Sequence, residues 1–355
     1  MRINLNELVF TILAFIFFFY LYVIFSYFGM EDFIQVGVLK DYFNSNVWHL
    51  EILIGGILFG TLFIIINRLT EKQIFRRRSF GFNILLKSTL YLIAVFIVFE
   101  LIFYSFLFFG LITDELLEDF VSLLSIKFLL SFLIYYDLFI LLMNFMLYIN
   151  KKFGPGSLSD LLTGKYYHPR NEEIIFLFLD LKDSTTLAEK LGHNNYSRFI
   201  KECIHELTPV IQKYKARVYQ YVGDEVILFW RTKEGFSQLN CLNAFFEFNS
   251  ILQQRNDSFI SKYGEVPKFK AGMDAGFVTL TEIGDIKREV AFHGDVLNTA
   301  ARLEKQCNEF EERFIISQHV ADRIDSNNKY HFKFLSDLPL RGKTENIKFY
   351  SVDLN

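Results

Sequence analysis

Four apolar stretches, residues 9–28, 47–66, 84–109 and 123–147, each reach the roughly 20 helical residues needed to cross the hydrocarbon core of a bilayer. In hydrocarbon every backbone polar group must be bonded within its own segment, so each stretch is constrained to be a helix. The sequence therefore predicts a four-helix membrane domain over residues 1–150, a linker over 151–171 and a second domain over 172–355. The first stretch is longer than the apolar core of a secretory signal, about 7–15 residues, and no small-residue cleavage site follows it, so it is expected to stay as a span. Arg68, Lys72, Arg76, Arg77 and Arg78 lie between the second and third stretches, and Lys151 and Lys152 follow the fourth. The other two loops are acidic, with Glu31, Asp32 and Asp41 in one and Asp114, Glu115, Glu118 and Asp119 in the other. That asymmetry predicts a multi-pass protein of the inner (plasma) membrane with both termini cytoplasmic. A net charge of −3 speaks against a nucleic-acid partner, and the arginine triplet fits a topology signal or a contact with anionic membrane lipid.

Two acids lie deep in the predicted spans, Glu100 in the third and Asp137 in the fourth, while Lys87 and Lys127 are near enough to the ends to snorkel. A carboxylate at a helix centre in membrane costs about 2.5–3.5 kcal/mol on insertion scales. Glu100 and Asp137 are thus candidate sensor residues in a polar core, or a mutually hydrogen-bonded structural pair. Gly56 and Gly60 have the spacing that permits close helix contact, either between chains or within the bundle. In the linker, Gly154-Pro155-Gly156 and His168-Pro169 argue against one rigid helix joining the domains. Cys203, Cys241 and Cys307 match no metal-ligand spacing and are expected to be buried thiols.

From residue 172 onward strand and helix patterns alternate, giving an α+β domain with a mixed sheet. An apolar strand at 174–179 ends on Asp180, and a hairpin at 217–222 and 226–230 turns through Gly223-Asp224-Glu225. If these strands are neighbours, two carboxylates meet at one sheet edge, where they repel unless protonated or bridged by a cation. Thr186 and Glu189 suggest a capping box that opens one helix, and a second helix follows at 196–214. A long helix at 237–262 precedes strands at 269–275, 276–283 and 289–292, and further strands fall near 314–317 and 347–352. Between them Gly294-Asp295-Val296-Leu297-Asn298-Thr299-Ala300-Ala301-Arg302 is a turn entering a helix, with Asn298 and Arg302 on one face.

Taken in order, Phe178-Leu179-Asp180-Leu181-Lys182-Asp183-Ser184-Thr185, the Gly223-Asp224 turn and the Asn298/Arg302 segment resemble the catalytic domain of class III adenylate/guanylate cyclases, across about half of the chain. The resemblance implies a ferredoxin-like mixed sheet with flanking helices, a homodimer, and an enzyme that converts ATP or another NTP to a cyclic nucleotide and pyrophosphate. It implies two divalent ions, Mg2+ or Mn2+, held by Asp180, Asp224 and the Leu181 carbonyl. Backbone N–H groups from Lys182, Asp183, Ser184 and Thr185 would cradle the triphosphate. Asn298 would orient the ribose and Arg302 would stabilise charge on the phosphoryl oxygens, with Arg341, or Lys343 beside it, as a further phosphate contact. The metal residues would come from one subunit and the Asn/Arg pair from the other.

Two positions depart from the family pattern. The base-recognition places hold Gln220 and Ala291; an amide both donates and accepts, so the residues leave ATP, GTP or a pyrimidine nucleotide open, and family membership favours ATP. Asp183 stands where many relatives have glycine, adding an acid beside the polyphosphate. Other readings are a diguanylate cyclase, which lacks a place for the Asn298/Arg302 segment, and a membrane receptor that binds nucleotide without turnover.

Overall fold

The computed structural model describes residues 5–34, 47–70, 80–109, 126–153, 160, 163–286, 288–324, 329–339 and 346–355. They divide into two compact units, Met1–Leu147 and Tyr148–Asn355.

The first unit holds α1 (Leu5–Ile34), α2 (Val47–Thr70), α3 (Phe80–Phe108) and, as far as Leu147, α4 (Ile126–Phe153). Three contain segments long and apolar enough to cross a membrane, Leu8–Phe25, Val47–Thr70 and Leu130–Ile149; in α3 the qualifying apolar run, Leu86–Val98, is shorter. The interior is aromatic, with Phe15, Phe59, Phe63, Tyr91 and Tyr136 buried. Phe15 meets Phe139 edge-to-face at 4.9 Å, tying α1 to α4. Gly56 and Gly60 face α1 within the same chain: a Cβ at Gly56 would lie 2.3 Å from Ile16 Cγ1, and one at Gly60 would lie 2.9 Å from Ile12 Cα. The small-residue spacing therefore serves packing inside the bundle.

The expected polar core around Glu100 and Asp137 is not what the helices form. Both residues are exposed on the outside of this unit. Phe132, Tyr136, Phe139, Ile140 and Met143 make the inner stripe of α4, and Asp137 is rotated off it by one position, about 100°. The polar cluster lies elsewhere. Lys87, expected to snorkel, instead donates to Asn67 Oδ1 at 2.6 Å and Asn144 Oδ1 at 3.4 Å, joining α3 to α2 and α4.

The second unit carries an eight-stranded mixed sheet in the order β2-β3-β1-β4-β6-β8-β7, with β5 also pairing β4. Its strands are β1 (Arg170–Leu181), β2 (Arg217–Val222), β3 (Glu225–Arg231), β4 (Phe269–Ile283), β5 (Glu289–His293), β6 (Phe314–Ser317), β7 (Tyr330–Pro339) and β8 (Asn346–Leu354). Its helices are α5 (Ser184–Lys213), α6 (Thr232–Phe236), α7 (Asn240–Gln254), α8 (Asn256–Tyr263), α9 (Asp295–Glu309) and α10 (Gln318–Ala321). Central β1 is buried from Ile174 to Leu179, as expected of a strand covered on both faces. Ile175, Leu177 and Leu179 join the core that contains Phe199, Phe245 and Phe248 of α5 and α7, while Ile174, Phe176 and Phe178 join a second cluster with Val296 and Ala300 of α9. Cys203, Cys241 and Cys307 are buried free thiols.

Several predicted boundaries move, each for a local reason. The Thr186/Glu189 capping box does not form: the chain enters α5 through Asp183 in the left-handed region, so the helix starts at Ser184. The two helices expected there lie on either side of Gly192, whose backbone (φ 71°, ψ 158°) is not helical. The long helix at 237–262 is broken by positive φ at Gln238 and Leu239 and by a helix end at Arg255. Strands 269–275 and 276–283 are one strand, because the β1 ladder continues straight through Ile174↔Gly276. β7 was missed; its alternation carries His331, Lys333 and Asp337, which hide the strand in a polar reading.

Candidate active site

Asp180 is the penultimate residue of β1, and the antiparallel ladder to β3 places Leu179 opposite Val226, so the β2–β3 turn lies beside Asp180. Val222 pairs with Glu225 across a two-residue turn, and Gly223 has φ 65°, a conformation that needs no Cβ. Asp224 is thereby carried to the same sheet edge as Asp180. Its carboxyl is pushed above the usual range, chiefly by burial and also by the negative charge of Asp180, while a hydrogen bond from Ser184 acts against the rise. Asp224 Oδ2 is buried without a hydrogen-bond partner. An acceptor-only oxygen left this way, next to a second carboxylate, fits a cation. Among the described residues no three His, Cys, Asp or Glu side chains converge as a metal site. A cation here would therefore rest on two carboxylates, a backbone carbonyl and oxygens of the substrate.

Glu225, which the sequence gives no role, has its carboxyl pushed up to about 7 by burial and then by Asp180 and Glu304. Tyr196 of α5 is also drawn in: burial, followed by the Asp224 charge, raises its pKa.

Leu181 is buried at the end of β1. The Lys182 N–H is not free for a phosphate, because the β4 pairing runs one residue further and it donates to the Lys268 carbonyl at 2.8 Å. Asp183 provides no side-chain cap to α5, which leaves the N–H groups of the first turn, at Ser184 and Thr185, as donors for an anion. The glycine common in relatives at position 183 has a physical reason here, since Asp183 sits at φ 57°. We expect Asp183→Gly to raise stability by about 0.5–1 kcal/mol, the left-handed strain relieved less the added chain entropy. It should also lower the KM for nucleotide, because one negative charge leaves the phosphate turn; thermal unfolding and steady-state kinetics on the full chain check the two effects.

On α9 the buried residues are Val296, Thr299, Ala300, Leu303, Glu304 and Cys307. Asn298 is exposed and Arg302 half-buried, with Arg302 Nη1 buried and unpartnered, a donor suited to a phosphate oxygen. With 3.6 residues per turn, Glu304 lies about 160° around the helix from Arg302 and about 120° from Asn298. Glu304 is the residue that reaches Asp180, through Lys270: Lys270 Nζ is 3.2 Å from Asp180 Oδ2 and 2.5 Å from Glu304 Oε1. Asn298 and Arg302 consequently face away from the carboxylates of their own chain. Gln220 is exposed on β2 and Ala291 half-buried on β5. Their neighbours Tyr219 and Phe292 meet edge-to-face at 4.9 Å, which brings those two strands together in one chain. Arg341, with Lys343, lies outside the described residues.

Sequence reasoning missed Lys270, Glu304 and Tyr196. The signals for the first two were present as a lysine in an apolar strand and a glutamate inside the apolar stripe of α9.

Residues 166–353 match the adenylate and guanylate cyclase catalytic domain family. "Adenylate cyclase 2" of Rhizobium meliloti (strain 1021) is 29% identical over 180 residues, covering 51% of this chain and 50% of that protein. "Adenylate cyclase, terminal-differentiation specific" of Dictyostelium discoideum is 23% identical over 187 residues, 51% of this chain and 9% of that protein. The chain thus spans half or less of these curated relatives. Among solved structures, a bacterial light-regulated adenylyl cyclase superposes with a TM-score of 0.52 at 20% identity, over 61% of this chain and 63% of the other, a likeness of fold.

Proposed function

We propose, from the premise that the chain belongs to the adenylate and guanylate cyclase catalytic domain family through residues 166–353, that it is a membrane-bound cyclase converting ATP to 3′,5′-cyclic AMP and pyrophosphate. The observation that carries this reading is the pair of complementary orphans: a buried unpartnered carboxylate oxygen on Asp224 and a buried unpartnered guanidinium nitrogen on Arg302. One suits a cation and the other the phosphoryl oxygens that a cation would accompany.

Asp180, Asp224 and the Leu181 carbonyl would hold two divalent ions, Mg2+ or Mn2+, which when bound acidify the ribose 3′-hydroxyl and neutralise the departing pyrophosphate. The residues supply the rest. The first N–H groups of α5 receive the polyphosphate. Asn298 keeps the 3′-oxygen in line with the α-phosphorus, and Arg302 carries the charge that builds on its oxygens as the ring closes. Since Asn298 and Arg302 face away from their own Asp180 and Asp224, a complete site is assembled from two copies in a twofold homodimer, with two equivalent sites. ATP is favoured by the relatives named adenylate cyclases. GTP and pyrimidine nucleotides are the alternatives at Gln220 and Ala291. We read all four helices of the first unit as spans, the arginine-bearing loop and both termini as cytoplasmic, and the unit as regulator of the catalytic dimer.

The full-length chain, incubated with ATP, GTP, CTP and UTP in Mg2+ or Mn2+, is expected to give cyclic AMP by mass spectrometry, and Asp224→Ala none. A cyclic product from another base would replace ATP in this reading, and nucleotide binding without any product would replace catalysis with a receptor role.

A further inference from the structure

Lys270 stands between two carboxylates in the interior of the catalytic unit. It is 7% exposed and Glu304 3% exposed. Asp180 and Lys270 are register partners on adjacent strands. Glu304 arrives from α9, whose backbone lies so close to β4 that a Cβ on Gly272, two residues along from Lys270, would fall 2.1 Å from the Glu304 nitrogen. The Lys270–Glu304 contact at 2.5 Å is an ion pair off the line of a hydrogen bond, since Glu304 Oε1 has no hydrogen-bond partner. Four carboxyl groups, on Asp180, Asp224, Glu225 and Glu304, thus crowd this edge, with Lys270 against two of them and Lys305 acting on Glu225.

We propose that Lys270 is a positioning residue, a tethered internal cation that fixes the Asp180 carboxylate and withholds Glu304 from metal binding. The inference rests on Asp180 being a metal ligand. Without Lys270, Asp180 and Glu304 form an acidic pair that draws a divalent ion inward, away from the turn where Asp224 and the phosphates meet. With Lys270 in place, Glu304 is neutralised and Asp180 keeps its free oxygen for the outer site. Glu304 tunes the device: while it holds part of the ammonium, Lys270 competes less for Asp180.

The two ends of the pair therefore predict opposite shifts in metal affinity. The full-length protein in detergent, without nucleotide, is titrated with Mn2+ alone and free Mn2+ is followed by electron paramagnetic resonance. Lys270→Met should bind Mn2+ about tenfold more tightly, the scale of removing a unit positive charge a few ångströms from a divalent ion, while its kcat falls. Glu304→Gln should bind Mn2+ several-fold more weakly, and the double variant Lys270→Met/Glu304→Gln should lose the extra affinity. Circular dichroism reports whether each is folded; if Lys270→Met fails to fold, the Glu304→Gln shift decides. Unchanged Mn2+ affinity in folded Glu304→Gln, or a double variant that keeps the full gain of Lys270→Met, overturns the proposal and leaves the pair a structural one. An Asp180→Asn chain that binds Mn2+ as the unsubstituted protein does overturns the underlying metal assignment instead.

Discussion

Co-expressing an Asp224→Ala chain with an Arg302→Ala chain is expected to restore cyclase activity that neither variant shows alone. Asp224 lies at the β2–β3 turn and Arg302 on the face of α9 turned away from it, because the opposite face is fixed to the sheet through Glu304 and Lys270. If two copies complete each other, a mixed dimer has one site with both defects and one with none. Random pairing makes half of the dimers mixed, each with one of two sites intact, so recovery should reach about one quarter of the unsubstituted activity. Arg302→Ala alone should lose roughly 10²–10³-fold in kcat, the usual effect of deleting a group aimed at developing charge. Parallel assays of the two single variants and of the mixture check this, and a mixture no better than the variants would place the whole site within one chain.

The parts of this molecule that were legible in the sequence are those where chemistry and local pattern coincide. The apolar run ending on Asp180 and the Gly-Asp turn announced the strand, the hairpin and their shared edge, because a buried central strand has few alternatives and the turn needs a glycine at positive φ. The Asn298/Arg302 face followed from helical spacing alone. What stayed hidden depends on through-space partners. Lys270 reads as a stray cation until Asp180 and Glu304 are set against it. Glu100 and Asp137 read as a buried pair, yet one position of rotation separates Asp137 from the inner stripe of α4. Lys87 reads as a snorkelling end residue because Asn67 and Asn144, on two other helices, cannot be seen from its own segment.

Gly272→Ala is expected to be the most damaging single-methyl change in the catalytic unit. A Cβ there would lie 2.1 Å from the Glu304 nitrogen, 2.3 Å from the Ala300 carbonyl oxygen and 2.7 Å from the Glu304 Cα, all main-chain atoms of α9. A helix backbone bonded along its length cannot yield locally, so α9 as a whole must move off β4. Overpacking of this kind costs about 2–3 kcal/mol, which for a unit of this size lowers the thermal midpoint by roughly 4–12 °C. Gly276, on the same strand, supplies the comparison: its Cβ would meet only Val296 Cγ2, at 3.0 Å, a methyl that can rotate aside. Gly276→Ala should therefore shift the midpoint much less. The difference extends to function, since moving α9 displaces Glu304 from Lys270 and carries Asn298 and Arg302 with it. Gly272→Ala should lose kcat even at temperatures where circular dichroism reports it folded. Equal effects of the two substitutions on midpoint and kcat would mean that the tight contact between α9 and β4 does not set the geometry of the site.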